Sequence, residues 1–110
     1  MPSTFKFDRP ARPEGNYVSM TDMVKLGEPV NVTEVIDDDL NMYRSEKAPR
    51  FLVKGLVGDS DEPVVVSVRK GYSRDDFLVA LAEHLESTEE TVPVRFVSTQ
   101  GSAYIDIVTA

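Results

Sequence analysis

The stretch YSRDDFLVALAEHLES, Tyr72 to Ser87, changes the period of the chain. Phe77, Leu81, His84 and Leu85 fall on one helical face with Leu78 and Ala82 beside it, whereas the apolar runs on either side alternate as strands do. The spacing predicts a helix over about Arg74–Ser87, with Ser73 and Asp76 as a capping pair at its start. A single amphipathic helix among strands must bury its apolar face on a sheet, so the chain is expected to be mainly β with one main helix.

The strands are bounded by turn chemistry. VNVTEVI (Val30 to Ile36) is rich in β-branched residues and reads as the first. IDDDLNMYRSEKAP is a polar loop ended by Pro49. FLVKGLV, the turn GDSDEP and VVVSVRK form a hairpin of the second and third strands. After the helix, TVPVRFVST places Val92, Val94 and Phe96 on one face, and AYIDIVT turns Ile105 and Ile107 inward. Upstream, VSMTDMVKLG forms a short helical turn with Ser19 or Thr21 as N-cap and Gly27 as its stop. Residues 1–16 hold Pro2, Pro10 and Pro13 and read as an extended arm, which Phe5 and Phe7 could tack to a groove. Residues 17–110 form the folded domain.

A chain of 110 residues is long enough to bury a core without staples. It has no cysteine, which excludes a disulfide framework, thiol catalysis and cysteine-ligated zinc. No apolar run has the length of a membrane span and the start carries no apolar leader, so the cytoplasm is the expected location.

The net charge of -7 argues against nucleic acid, but it is unevenly spread. Residues 50–74 carry five cations against three anions, while residues 75–110 carry one against seven. Screening confines each exposed charge to roughly 10 Å at ordinary salt, so a local basic stripe can act on an acidic protein. Alternation sorts the hairpin into faces: Phe51, Val53 and Val57 with Val64, Val66 and Val68 toward the core, and Arg50, Leu52, Lys54 and Leu56 with Val65, Ser67 and Arg69 away from it.

One helix between the third and fourth of five strands is the layout of an OB-fold, a small Greek-key barrel. NYVSMTDMVKLGEPVNVTEVI, PRFLVKGLVGDSDEPVVVSV and VPVRFVSTQGSAYIDIV resemble, in turn, the lead-in, the second and third strands and the closing hairpin of OB-fold single-stranded DNA-binding proteins of the bacteriophage type. The resemblance covers about residues 17–109; the chain departs from it in its net negative body and in having no separate acidic tail after the barrel. It implies a five-stranded closed barrel and non-enzymatic, sequence-tolerant binding of single-stranded DNA, or of RNA, through strands two and three. The role would be protection or presentation of single strands in replication or recombination, in a host cytoplasm if the chain is of phage origin. It implies no membrane and no small-molecule cofactor, and allows a homo-oligomer. Arg44, Arg50, Lys54, Arg69 and Lys70 would attract phosphates, and Tyr43, Tyr72 and Tyr104 would offer stacking platforms.

Other constellations are weaker. Asp37, Asp38 and Asp39 read as a solvated loop, since consecutive carboxylates seldom converge on one ion. Asp59, Asp61 and Glu62 lack the spacing of a calcium loop. His84, the only histidine, has no second ligand type beside it. The serines and threonines have no visible base partner, and Gly55, Gly58 and Gly71 are too scattered to cradle a phosphate; with these constellations set aside together, no enzyme is expected. The competing reading is a protein-interaction module for a basic partner, either an OB barrel or a ubiquitin-like β-grasp, which FLVKGLVGDSDEPVVVSVRKGYSRDDFLVALAEHL also resembles. A β-grasp leaves VNVTEVI unexplained; barrel closure requires that strand to pair with both the second and the fourth.

Overall fold

A computed structural model describes residues 14–38, 49–99 and 104–110. The elements run β1 (Asn16–Val18), α1 (Met20–Leu26), β2 (Val30–Asp38), β3 (Arg50–Val57), β4 (Val64–Arg69), α2 (Arg74–Ser87), β5 (Val92–Ser98) and β6 (Ile105–Thr109). The strands form one open six-stranded sheet in the order β1-β4-β3-β2-β5-β6. Four of the ladders are antiparallel; β1 alone runs parallel to its neighbour, β4. The five strands expected from the sequence are all present, and Asn16–Val18 adds a sixth. A closed ladder between β4 and β6 is not among the pairings of the described residues. The extended arm lies outside them up to residue 13, and its last residue, Asn16, already belongs to the sheet.

The strand that organises the sheet is β2. Val30–Val32 pairs with β3 on one side and with β5 on the other, whereas Glu34–Asp38 pairs with β3 alone. Between the two halves Thr33 is bulged: Val32 opposes Gly55 while Glu34 opposes Lys54, and the Thr33 hydroxyl donates to the Lys54 carbonyl at 3.2 Å. A bulge bends its strand and shifts side-chain parity by one. That shift accounts for the imperfect alternation of VNVTEVI, in which Val30 and Val32 are buried and Val35 rather than Glu34 packs on the core. Gly55 permits the bend. A Cβ there would lie 2.6 Å from the Asn31 carbonyl oxygen and from Val30 Cγ1, closer than any side chain can stand.

Both helices pack against the sheet's apolar face. Leu78 and Leu81 of α2 and Met23 of α1 join Val30, Val32, Phe51, Val53, Val66, Val68, Val94, Phe96 and Ile107 in one core, with Phe77 and Leu85 at its margin. Helix α1 touches β4, β5 and β6, and so spans the two ends of the sheet. Ser19 caps it, accepting the Asp22 N–H at 3.1 Å, and Gly27 ends it in the left-handed conformation at φ 71°. The start of α2 differs from expectation. Ser73 makes no side-chain cap, and it is Asp75, not Asp76, that accepts a main-chain N–H, from Gly71 at 2.6 Å. His84 is exposed. No helix of the described residues is long and apolar enough to cross a membrane.

Candidate nucleic-acid interface

Register places Arg50 opposite Arg69, Leu52 opposite Ser67 and Lys54 opposite Val65, so these side chains share the sheet face that points away from the core. That is the surface expected from alternation. Its occupancy is different.

Arg50 is only 1% exposed. Strand β2 runs two residues beyond Ile36, which sets Asp38 opposite Arg50. Arg50 Nε donates to Asp38 Oδ2 at 3.0 Å, Nη2 lies at ion-pair distance from the same oxygen at 2.9 Å, and Nη1 donates to Ser67 Oγ at 3.3 Å. The guanidinium is a buried structural group here and not an open phosphate contact. Leu52 and Val65, on this same face, are also fully buried. Asp37 and Asp38, expected in a solvated loop, end a strand and point to opposite faces of it, where Lys70 and Arg50 meet them. Asp39 lies outside the described residues.

Lys70 is likewise corrected. It follows Arg69 by one residue and therefore turns to the core side, where its ammonium sits 4.5 Å from the centroid of Phe51 and pairs with Asp37. Its side chain is 16% exposed. A lysine over the edge of the core covers apolar surface with its stem while keeping its charge partnered. It does not share a surface with Arg69 and Lys54.

Among the described residues, two cations of the expected set remain on the outer face. Arg69 is exposed at the end of β4, and Lys54 is half-buried in mid-β3 with Glu34 directly across from it. Tyr43 and Arg44 lie outside the described residues. Tyr17 of β1, which the sequence reading passed over, stands beside Val65 in register and so belongs to this face.

The structure brings Tyr72 and Tyr104 together. Their ring centroids are 5.7 Å apart with planes inclined by 37°, and the Ser73 and Tyr104 hydroxyls are 3.2 Å apart. The connecting residue is Arg74, whose guanidinium carbon lies 4.4 Å from the Tyr72 ring and 5.1 Å from that of Tyr104. Sequence reading saw Arg74 only as the first residue of a helix. A signal was present: a cation in a helix's first turn opposes the macrodipole, so its place there calls for a compensating contact. Among the described residues no group of histidines or carboxylates could hold a metal ion.

No protein-family model matches the chain, and no curated protein or solved structure matches it either.

Proposed function

We propose that this chain is a non-enzymatic, sequence-tolerant binder of single-stranded DNA, built on an OB-type barrel left open at one seam. The strand order supports the fold. Without β1, the sheet reads β4-β3-β2-β5-β6 with α2 between β4 and β5, the order of an OB barrel cut between its third and fifth strands. β2 pairs with both β3 and β5, as a barrel requires of its first strand, and a β-grasp leaves this strand without a place.

One observation carries the function: the exposed Arg69 ends β4, Tyr72 follows it at the strand's exit, and Arg74, bonded to the Arg69 carbonyl, holds Tyr72 against Tyr104, which precedes β6. An exposed cation and an aromatic platform on the same strand exit are what a single strand needs, phosphate attraction with sequence-independent stacking. Lys54 extends the positive face along β3. Leaving Arg50 and Lys70 out of the set, together with a net charge of -7, implies modest affinity and strong salt dependence. In replication or recombination such a protein would shield or present single strands.

Fluorescence anisotropy with labelled oligo-dT tests this. Binding at micromolar protein in about 50 mM salt, lost as salt rises, is the expected result, and a flat titration there would end the proposal. A second reading, a module for a basic protein partner, is favoured by the exposed Asp76, Glu83, Glu86, Glu89 and Glu90 on and after α2. It predicts that reversing Glu83 and Glu86 to lysine abolishes partner capture while leaving oligonucleotide binding no weaker.

A further inference from the structure

Strands β4 and β6 are not neighbours in the sheet, yet one side chain is bonded to both. Arg74 Nη1 donates to the Ile105 carbonyl at 2.7 Å, and Nη2 reaches the Arg69 carbonyl at 3.4 Å. Ile105 opens β6 and Arg69 closes β4. A single guanidinium thus bridges the seam that a barrel ladder would otherwise close. Arg74 is 4% exposed, and its Nε is buried with no hydrogen-bond partner among the described residues. Two aromatic rings lie against this group, and one of them, Tyr72, is 48% exposed. A large ring left half open, with a cation beneath it and a second ring beside it, is a supported platform with room for a partner.

We propose that Tyr72 and Tyr104, held by Arg74, form one stacking subsite for an unpaired nucleobase, and that a base seated there tightens the seam between β4 and β6. The inference rests on the single-stranded nucleic-acid reading above. Every base has a π-face, so a platform of this kind accepts all of them. Arg74 is too deeply buried to reach a phosphate and is a positioning residue: it fixes the rings through cation–π contact and fixes the strands through two carbonyls. The exposed Arg69 serves the phosphate of the same nucleotide. Because the rings and the carbonyls share one guanidinium, a ligand that favours the ordered platform must also favour the bridged seam.

The test uses the full chain and two labelled oligonucleotides of about 12 residues, within the range one OB-fold covers. One is oligo-dT; the other has abasic residues throughout, with the same phosphates and no bases. Oligo-dT is expected to bind about tenfold tighter or more, from one base stacked. Tyr72→Ser, a change at an exposed position, should remove most of that ratio without altering the salt slope. Amide exchange at Ile105–Ile107 should slow on adding oligo-dT but not the abasic strand. Arg74→Lys, which retains charge but not the two-carbonyl fork, should lose both effects. If that variant fails to fold, Tyr72→Ser alone decides. Equal affinity for the two strands, or undiminished oligo-dT binding by Tyr72→Ser, overturns the subsite while leaving the nucleic-acid reading standing. Binding of neither strand in about 50 mM salt overturns the reading itself and the subsite with it.

Discussion

Arg50 and Asp38 face each other across the β2–β3 ladder and are both fully enclosed, the guanidinium contacting one carboxylate oxygen through two nitrogens at 3.0 and 2.9 Å. Removing one member strands the other's charge without solvent. Asp38→Ala is expected to destabilise the fold by about 3–5 kcal/mol, whereas Asp38→Leu with Arg50→Met should be near neutral or stabilising. Denaturant unfolding of the three proteins measures this. A single-mutant cost below about 1 kcal/mol would show the pair to be more solvated than its enclosure implies.

The two faces of α2 differ in consequence. Leu78 is fully buried and Val79, the next residue, is 45% exposed. Leu78→Ala should cost about 2–5 kcal/mol through lost transfer energy and the cavity left behind. Val79→Ala should stay within about 0.5 kcal/mol. Thermal melts of the pair separate a packed helix from one merely lying on the sheet.

Gly55→Ala places a methyl group 2.6 Å from main-chain and side-chain atoms of β2. The strands must separate there, at an expected cost of about 1–3 kcal/mol. Gly27→Ala meets nothing within 4 Å and suffers only from its φ of 71°, so it should cost about 1 kcal/mol. A reversed order of melting temperatures would contradict the close approach at the bulge.

Lys54 and Arg69 stand on the outer face, and Lys70 on the core side. Lys54→Ala with Arg69→Ala should lower the slope of log affinity against log salt by about 1.4, roughly 0.7 for each phosphate contact on a single strand. Lys70→Ala should leave that slope unchanged and instead lower stability, through loss of its contacts with Phe51 and Asp37. Anisotropy titrations at three salt concentrations distinguish the two outcomes.

Much of the fold was legible because local periodicity and core burial agree. The bounds of α2, the inward sets of β3 and β4, and the placement of Val94, Phe96 and Ile107 all follow from spacing. What was not legible depends on partners distant in sequence. Alternation gives the face of Arg50 but not the arrival of Asp38 opposite it, since the run DDD reads locally as loop. Parity assigns Lys70 to the core side, yet a lysine at the end of an apolar strand is read as exposed until Phe51 and Asp37 are seen beneath it. The Tyr72–Tyr104 contact is set by Arg74 bridging β4 and β6, which no local pattern announces. Thr33 is the instructive intermediate: its effect on the alternation of VNVTEVI was visible, and its cause was not.

The three-residue β1 has a kinetic meaning as well as a structural one. Asn16 pairs with Val64 across nearly half of the chain, so this ladder closes a long loop and is expected to form after the local β3–β4 hairpin. Until then Val64, Val65 and Val66 present a β-branched, uncharged edge with its main-chain groups unpaired, the kind of edge on which chains pair with one another. Once docked, β1 acts as a guard strand. A chain trimmed through Val18 should therefore reveal itself during refolding, as concentration-dependent aggregation, before any loss of equilibrium stability is measured.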